Sequence, residues 1–333
     1  MTAPRLAIVG CGAIAERFHV PALQRRPQLL DGLVFVDPDL SRAHALVALC
    51  GGGRATRELG DAKVDGAIVT APHELHFPIA SALLGAGVHV LCEKPLAGTA
   101  AEARDLVSTA ERRGVQLAVN NTRRLYPSHL KVKELIATGE LGALRRLSFE
   151  DGDKFDWPLA SGALFGVRGK GRGILLDIGA HVVDLACWWL GGAPEVTGYE
   201  DDAMGGTEAM ATARLRSGGC DVTLRLSWIS KLKNGFVLEG ERGSVEGGIY
   251  DWSTLTHTTG GRPRKLSLPT KARVYADFAP ILLDNFIDVI SRGAKPLVPG
   301  ADVMPSLDVI ETCYARRTRM AMPWFDAYTK VAV

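Results

Sequence analysis

Residues 5–15, RLAIVGCGAIA, decide the fold of the first part of the chain. An apolar run at residues 5–9 predicts a buried strand, and a GxGxxA pattern follows it directly. Gly10 permits a tight turn, Gly12 lets the backbone approach a pyrophosphate, and Ala15 is small enough for the next helix to pack closely. The amino end of that helix would face the phosphates. The stretch therefore predicts the start of a dinucleotide-binding sheet.

A second apolar strand, residues 33–36, ends in Asp37, roughly where the ribose-binding acid of such a unit falls. A carboxylate at this position accepts hydrogen bonds from the adenosine 2′-hydroxyl and repels a 2′-phosphate. The sequence therefore favours NAD as the cofactor. Arg42, five residues further on, keeps NADP open as the alternative.

Strands and helices continue to alternate up to residue 121. Further strands are predicted at residues 66–70, 88–91 and 116–119, with helices at residues 72–86 and 100–113. Strands separated by helices in this way predict a parallel sheet with right-handed crossovers. Residues 1–121 are therefore predicted to form an α/β Rossmann domain with a doubly wound parallel sheet.

Residues 91–95, LCEKP, place two charges and a proline at the carboxyl end of a predicted buried strand. Ligands of an open α/β sheet bind outside the carboxyl ends of its strands, so Glu93 and Lys94 are candidates for the functional site. The alternative is a pair of ordinary loop charges at the start of a helix.

The pattern changes after residue 121. A helix at residues 128–138 is followed by strands of alternating polarity at residues 144–151, 196–200, 208–216, 221–228, 235–239 and 244–249, and helices are predicted at residues 277–291 and 301–321. Short turns between neighbouring strands indicate a mainly antiparallel sheet. Residues 122–333 are therefore predicted to form an α+β domain for substrate binding and oligomerisation. Its large open sheet would pack one face on helices and offer the other to a second subunit of a homodimer or homotetramer.

The composition argues against several classes of protein. A chain of 333 residues with 47% apolar and 23% charged residues is typical of a soluble globular protein of two domains. The net charge of +2, with scattered basic residues and no long apolar run, implies neither a nucleic-acid nor a membrane partner. Six cysteines without metal-site or disulfide spacing indicate buried thiols and a cytoplasmic location. His73 and His76 are interpreted as a helix-start contact and a packing histidine, not as metal ligands.

Residues 171–184, GRGILLDIGAHVVD, form a second candidate site. If Asp177 opens a helix, His181 lies one turn later on the same face and Asp184 follows three residues beyond. An aspartate beside an imidazole can orient its tautomer, which suits a proton acceptor working near neutral pH. Two alternatives remain: a metal site shared by Asp177 and His181, and a helix cap with a buried histidine.

Taken together, these motifs resemble the Gfo/Idh/MocA family of nicotinamide-dependent oxidoreductases. The residues that carry the resemblance are GCGAIA at 10–15, TAPHELH at 70–76, CEKP at 92–95 and DIGAHVVD at 177–184. The resemblance implies that Lys94 is the active-site lysine, that Asp177 and His181 are its catalytic partners, and that the Lys94–Pro95 peptide bond is cis. No metal is expected. It also implies a set of cofactor-binding residues: Gly10, Gly12, Ala13, Ile14, Asp37, Thr70, Pro72, His76, Glu93, Lys94 and Asn121.

The residues expected to contact the substrate match the family pattern less closely than the cofactor-binding residues do. Arg123 matches an arginine that often faces the active site in this family, whereas Arg124 is interpreted as structural. Many members carry a Trp-Arg pair well before the glycine-rich stretch; here Phe165 and Arg168 lie close to Gly171, and Arg172 interrupts the glycine run. These departures affect the expected substrate contacts rather than the chemistry.

Residues 150–157, EDGDKFDW, border the active site by the same resemblance. Their four acids could pair with an ammonium group, and Phe155 and Trp157 could stack on a sugar. The predicted substrate-binding residues are Arg123, Asp153, Phe155, Trp157, Arg168, Asp177 and His181. The alternative for this stretch is a solvated acidic loop.

The resulting prediction is an NAD-dependent dehydrogenase that oxidises a secondary hydroxyl of a sugar, aminosugar or cyclitol, including a sugar unit of an aminoglycoside-type product. His181 would take the hydroxyl proton, Lys94 would stabilise the same oxygen, and Asp177 would fix the imidazole. The alternatives are a ketoreductase of a sugar or nucleotide-linked sugar, a glycosidase that works through transient oxidation, and a non-catalytic NAD sensor.

Overall fold

The computed structural model describes residues 3–60, 63–158, 172–203 and 206–322. Its first sheet has six parallel strands in the order β3-β2-β1-β4-β5-β6. The strands are β1 (Leu6–Val9), β2 (Val34–Val36), β3 (Arg54–Thr56), β4 (Gly66–Val69), β5 (His89–Glu93) and β6 (Leu117–Asn120). The predicted doubly wound parallel sheet is therefore confirmed.

The helices between these strands begin and end where their sequence dictates. They are α1 (Val20–Gln24), α2 (Leu40–Cys50), α3 (His73–Gly85) and α4 (Ala100–Arg113), with a 3₁₀ turn at Pro27–Gly32. Thr99 and Glu102 form a reciprocal capping box at the start of α4, and Gly114 ends it in the left-handed region.

Two features of this domain were not predicted. The segment Ala15–His19, directly after the glycine turn, is π-helical and leads into α1. The edge strand β3 has only three residues and no buried side chain, so it carries no apolar pattern that the sequence would reveal.

The second sheet has nine strands in the order β14-β13-β12-β11-β7-β10-β9-β8-β15. Its strands are β7 (Leu144–Gly152), β8 (Glu195–Asp201), β9 (Met210–Ser217), β10 (Cys220–Ser227), β11 (Gly235–Gly240), β12 (Gly243–Gly248), β13 (Thr254–Thr259), β14 (Arg262–Ser267) and β15 (Thr318–Arg319). Only the β7–β10 and β8–β15 pairs are parallel, so the prediction of a mainly antiparallel sheet is confirmed.

One face of this sheet packs on helices, and the described residues place no helix on the other. The helices of this part are α5 (Pro127–Ala137), α6 (Ile174–Leu190), α7 (Ala279–Arg292) and α8 (Met304–Ala315), with 3₁₀ turns at Thr122–Leu125, Tyr275–Phe278 and Gly300–Val303. Leu147 and Phe149 of β7 and Val222 of β10 are buried in the core that α5, α6 and α8 share. Alternate side chains such as Arg225 point to the opposite, open face.

Several predicted bounds differ from the observed ones. The helix predicted at residues 301–321 ends at Ala315, and the chain continues into the edge strand β15. Strands β13 and β14 were missed because threonine, arginine and lysine replace the alternation of apolar and polar residues that marks the other strands.

The C-terminal helices return to the first domain. Leu282 and Phe286 of α7 are buried in the same core as Ile8 and Phe35 of the first sheet. On the other face of the first sheet, Leu307 of α8 packs in a core that includes residues of strands β4 and β5. The two sheets thus divide the chain near residue 122, whereas the helices that cover the first sheet come from both parts.

Candidate active site

Lys94 lies where the two parts of the chain meet. It follows β5 at the carboxyl edge of the first sheet, and the Lys94–Pro95 peptide bond is cis. Its Nζ donates to Oδ1 of Asp177 at 2.6 Å and to the Asp177 backbone oxygen at 3.1 Å. Asp177 belongs to the first turn of α6, in the second part. The ion pair is largely shielded from solvent and connects the two domains at the predicted site.

The electrostatics of this pair favour its charged form. Burial alone would raise the pKa of Asp177, but the Lys94 ammonium and the nearby His73 and Arg123 outweigh it and hold that pKa below its usual value. Asp177 therefore remains ionised near neutral pH and keeps the ammonium in place.

His181 lies one helical turn after Asp177 on α6. Burial, followed by the positive charges of Lys94 and Arg123, holds its pKa well below 6.5, so the imidazole is neutral at pH 7. Its Nδ1 is buried and has no hydrogen-bond partner within the described ranges. A neutral imidazole with a nitrogen free is suited to accept a proton.

The expected contact between Asp177 and His181 does not form. Asp177 instead binds Lys94, because an ammonium group makes a stronger charge-assisted hydrogen bond with a carboxylate than a neutral imidazole does. The carboxylate of Asp184 likewise has a different partner: it accepts two hydrogen bonds from Arg124, at 2.6 and 2.7 Å. This buried pair agrees with the structural interpretation of Arg124.

Arg123 belongs to a cluster that the sequence did not reveal. Its Nη1 donates to Asp151 at 2.8 Å, and the hydroxyl of Tyr250 donates to the other carboxylate oxygen of Asp151 at 2.8 Å. The guanidinium also lies over the Tyr250 ring, 5.0 Å from its centroid. Asp151 ends a predicted strand, and that position could have marked it as a candidate site residue. Tyr250 lies more than 120 residues from Arg123, and no sequence pattern connects the two.

Glu93 points away from Lys94 and is buried. Its Oε1 accepts from Asn120 at 2.6 Å and bonds Nε2 of His19 at 2.8 Å. His19 ends the π-helical segment that follows the glycine turn, so it links the predicted phosphate-binding turn to the strand that carries Lys94. The sequence did not single out His19, because no motif marks this buried residue of the π-helical segment.

The residues near the glycine turn fit a dinucleotide. Gly10 has a φ of +102°, and a Cβ there would lie 2.5 Å from the Ala71 nitrogen, so only glycine fits. A Cβ on Gly12 would meet nothing within 4 Å, which leaves open space in front of the turn. Asp37 directly follows β2 and accepts from the Cys11 N–H at 2.8 Å, beside that space. Asn121 has a buried Oδ1 with no partner in the part of the chain that the structure describes.

Other predicted cofactor residues lie around this turn in different roles. Thr70 donates to the Gly10 oxygen at 2.5 Å and so fixes the turn. The two ring nitrogens of His76 lie 2.7 and 2.8 Å from the oxygens of Pro95 and Ala71, which leaves neither for a ligand. His76 is therefore a buried packing histidine, as it was interpreted from the sequence. Pro72 precedes α3, and Ala13 and Ile14 are half-buried before the π-helical segment.

His73 begins α3, as predicted, and it also lies close to the ion pair. Burial and the Lys94 charge lower its pKa to about 3, so it stays neutral beside Lys94.

The acidic side chains of residues 150–157 do not form a single cluster. Glu150 forms an ion pair with Arg225 on the open face of the sheet, and Asp151 binds Arg123. Phe155 packs edge-to-face on Trp228 in the core, so it is not free to stack on a ligand. Asp153, Asp156 and Trp157 remain exposed.

Trp157 contacts the first domain, because the Arg17 guanidinium lies 5.6 Å from its ring centroid. Arg172, which interrupts the glycine run, donates to the Gly98 oxygen of the first domain. The predicted substrate contact Arg168, together with Phe165 and Gly171, lies outside the described residues.

Two further observations concern the described ranges only. No group of three or more histidine, cysteine, aspartate or glutamate side chains there could hold a metal ion. None of the helices in those ranges combines the length and apolar character that a membrane crossing requires.

Two family models match the chain. Residues 4–121 match the model of an oxidoreductase family, described as an NAD-binding Rossmann fold, and residues 129–246 match the GFO/IDH/MocA C-terminal domain. Together the matches cover more than two thirds of the chain.

Curated relatives extend the similarity. The rhizopine catabolism protein MocA of Rhizobium meliloti is 28% identical over 317 residues, which are 93% of this chain and 94% of MocA. D-glucoside 3-dehydrogenase of Escherichia coli (strain K12) is 31% identical over 199 residues, which are 56% of this chain and 54% of that enzyme.

A solved structure of levoglucosan dehydrogenase, in complex with NADH and levoglucosan, superposes with a TM-score of 0.83. The superposition covers 93% of this chain and 96% of that one, at 18% sequence identity. At this identity the similarity establishes a shared fold.

Proposed function

The chain belongs to the Gfo/Idh/MocA family and is an NAD(P)-dependent oxidoreductase; on this premise we propose that it oxidises a secondary hydroxyl of a sugar or cyclitol to a ketone. The observation that carries the proposal is the ion pair between Lys94 and Asp177, with the neutral His181 one helical turn away. A non-catalytic NAD sensor would need only the first domain, whereas this pair joins both.

Bound NAD supplies the acceptor for the hydride that leaves the substrate carbon. His181 accepts the hydroxyl proton, because its imidazole is neutral at pH 7 and its side chain is only half-buried. Lys94 donates a hydrogen bond to the same oxygen and stabilises its developing negative charge. Asp177 holds the ammonium group in position. In the reverse direction, a protonated His181 returns the proton to the oxygen, so the same residues serve reduction.

For the cofactor, Asp37 supports NAD over NADP. Its carboxylate stands beside the open space in front of Gly12 and would repel a 2′-phosphate. Arg42 is 3.5 Å from Asp39, so that carboxylate already opposes its charge. The dinucleotide phosphates would lie against Gly12 and the following helical segment.

For the substrate, a sugar hydroxyl is supported by similarity to an enzyme named for the dehydrogenation of D-glucosides. An amino group on that sugar is a narrower proposal, carried by the exposed carboxylates of Asp153 and Asp156 next to Trp157. If it is correct, Asp153→Asn and Asp156→Asn reduce kcat/KM for aminosugars more than for neutral sugars. Equal losses on both would remove the amino preference.

Absorbance at 340 nm, read after mixing the protein with NAD and a panel of sugars, cyclitols and aminosugars, tests the main proposal. We expect turnover of at least one member and a loss of kcat of about 10²- to 10³-fold in Lys94→Ala, because a donor to the developing oxyanion is removed. Binding of NAD, measured by calorimetry, should stay within about threefold.

The matched control is Lys131→Ala, which removes a partly exposed lysine of α5 that pairs with Glu134. It should turn over like the wild type. A Lys94→Ala protein that retains the wild-type rate would rule out the proposed role of this lysine.

We also propose that the protein is a homo-oligomer through the open face of the nine-stranded sheet. Ion pairs of exposed arginines with glutamates lie side by side on that face: Arg225 pairs with Glu150, and Arg214 pairs with Glu200. A second copy related by a twofold axis could place arginines against carboxylates.

A further inference from the structure

Tyr250 is exposed in an unusual way. A surface tyrosine normally buries its ring and leaves its hydroxyl in water. Here the hydroxyl is tied to Asp151, a residue only 1% exposed, while half of the side chain's surface is open to solvent. The tyrosine hydroxyl is therefore held in the protein interior, and part of the apolar ring surface faces solvent.

The backbone around Tyr250 is fixed, so this exposure is not that of a loose turn. Ile249 on one side is fully buried, and its N–H donates to the Asn234 oxygen at 2.9 Å. On the other side, Asp251 accepts from the N–H groups of Ser253 and Thr254 at 2.9 and 3.0 Å. A ring held at both its backbone and its hydroxyl loses little conformational freedom when a ligand binds to it.

Tyr250 is also next to the candidate active site. Arg123 lies over one face of the ring, and its Nη2 is 3.3 Å from the tyrosine hydroxyl. Arg123 lies in the 3₁₀ turn that follows β6, and β6 pairs with β5, the strand that ends just before Lys94. Its charge is close enough to His181 and Asp177 to contribute to the pKa of both. Tyr250 thus contacts a residue at the edge of the first sheet where the candidate active site lies.

From this geometry we infer that Tyr250 is a specificity-determining residue whose exposed ring stacks on the C–H face of a sugar or cyclitol ring held beside His181. Arg123 covers the opposite side of the ring and Asp151 fixes its hydroxyl, so the ring is oriented before the substrate arrives. Polyols without a ring would lack a flat C–H surface, so the contact with Tyr250 would add less to their binding affinity. The inference rests on the proposed function, since it assigns the binding surface for that substrate.

Two variants separate the ring from its hydroxyl, and a third is their control. Tyr250→Phe keeps the ring and removes the hydrogen bond to Asp151, whereas Tyr250→Leu removes both. Because both variants lose the same tether, the difference between them reports the ring alone. Leu130→Ala, which shortens an exposed leucine on α5, is the control for a general change of the surface. Melting temperatures establish that each variant is folded.

We expect Tyr250→Leu to raise KM for the cyclic substrate about three- to tenfold relative to Tyr250→Phe, the range that an aromatic contact of this kind provides. The KM for NAD and the pH profile should not change, since the ring touches neither the cofactor nor the proton acceptor. Equal KM values in the two variants, or a loss of kcat without a change in KM, would overturn the inference.

The same proteins are titrated with the sugar in the presence of NADH by calorimetry, so that binding is read without turnover. Binding that weakens in Tyr250→Leu, in a protein that oxidises no sugar, would support the ring contact while contradicting the proposed dehydrogenase. Turnover that is unaffected by Tyr250→Leu would contradict the ring contact alone. A wild-type protein that neither binds nor oxidises any sugar would contradict both.

Discussion

At the scale of single residues, the charge state of His181 depends on its neighbours. Its pKa is lowered first by burial and then by the positive charges of Lys94 and Arg123. Removing a nearby cation favours the protonated imidazole, so Lys94→Met should raise the pKa of His181. The acid limb of any remaining activity should move to higher pH in the same direction, because more of the base is protonated at a given pH.

Histidine NMR signals, followed from pH 4 to 8, measure this change directly. His129 is an internal reference, since burial lowers its pKa to about 3 and Lys94 does not contribute to it. Lys131→Met should leave the His181 titration as in the wild type. An unchanged His181 titration in Lys94→Met would show that the two side chains do not interact.

The sequence singled out the proposed catalytic side chains but not their pairing. Lys94, Asp177 and His181 each stand in a recognisable motif, and the structure brings Lys94 and Asp177 into contact. The expected Asp177–His181 bond was wrong, because spacing along a helix does not include the competing ammonium from another domain. Tyr250 and His19 had no motif, since their roles depend on contacts over long distances in the chain.

At the scale of secondary-structure elements, the start of α6 determines where Asp177 and His181 lie. Gly173 precedes this helix, and a Cβ there would be 2.3 Å from the Glu208 oxygen and 2.5 Å from Thr207 Cγ2. Gly173→Ala should therefore shift the helix start, destabilise the protein by about 1–3 kcal/mol and lower kcat. Thermal unfolding and steady-state kinetics test both effects.

Gly192 is the matched control at the other end of α6. A Cβ at Gly192 would meet nothing within 4 Å, so Gly192→Ala should leave both stability and kcat close to the wild type. If the two variants behaved alike, close packing at Gly173 would not be what positions the helix.

Elements with strong local patterns could be predicted, and the others could not. The bounds predicted for α4, residues 100–113, agree with the structure because Thr99, Glu102 and Gly114 specify both ends. The π-helical segment before α1 has no comparable pattern. Strand β13 pairs with β12, and β14 pairs with β13, so both depend on their neighbours rather than on their own apolar residues.

At the scale of the whole molecule, the open sheet face is the proposed contact between subunits. Arg225→Glu places a second acid beside Glu150 and would oppose like charges across that contact. In the monomer, the loss of one exposed ion pair should cost at most about 1 kcal/mol. We therefore expect dissociation without unfolding, measured by light scattering coupled to size-exclusion chromatography.

Arg292→Glu removes a comparable exposed ion pair, with Asp288 on α7, away from this sheet. It should leave the oligomer intact. A wild-type protein that is monomeric at micromolar concentration would contradict the proposed interface.

The return of α7 to the first sheet restricts how this enzyme can be re-engineered. Moving residues 1–121 to another protein as one cofactor-binding module would separate Ile8 and Phe35 from Leu282 and Phe286, which are buried in the same core. The bare apolar surface would favour aggregation over a working chimera. A successful graft would have to transplant two separate stretches of polypeptide, so altering cofactor choice by point substitution is the simpler route.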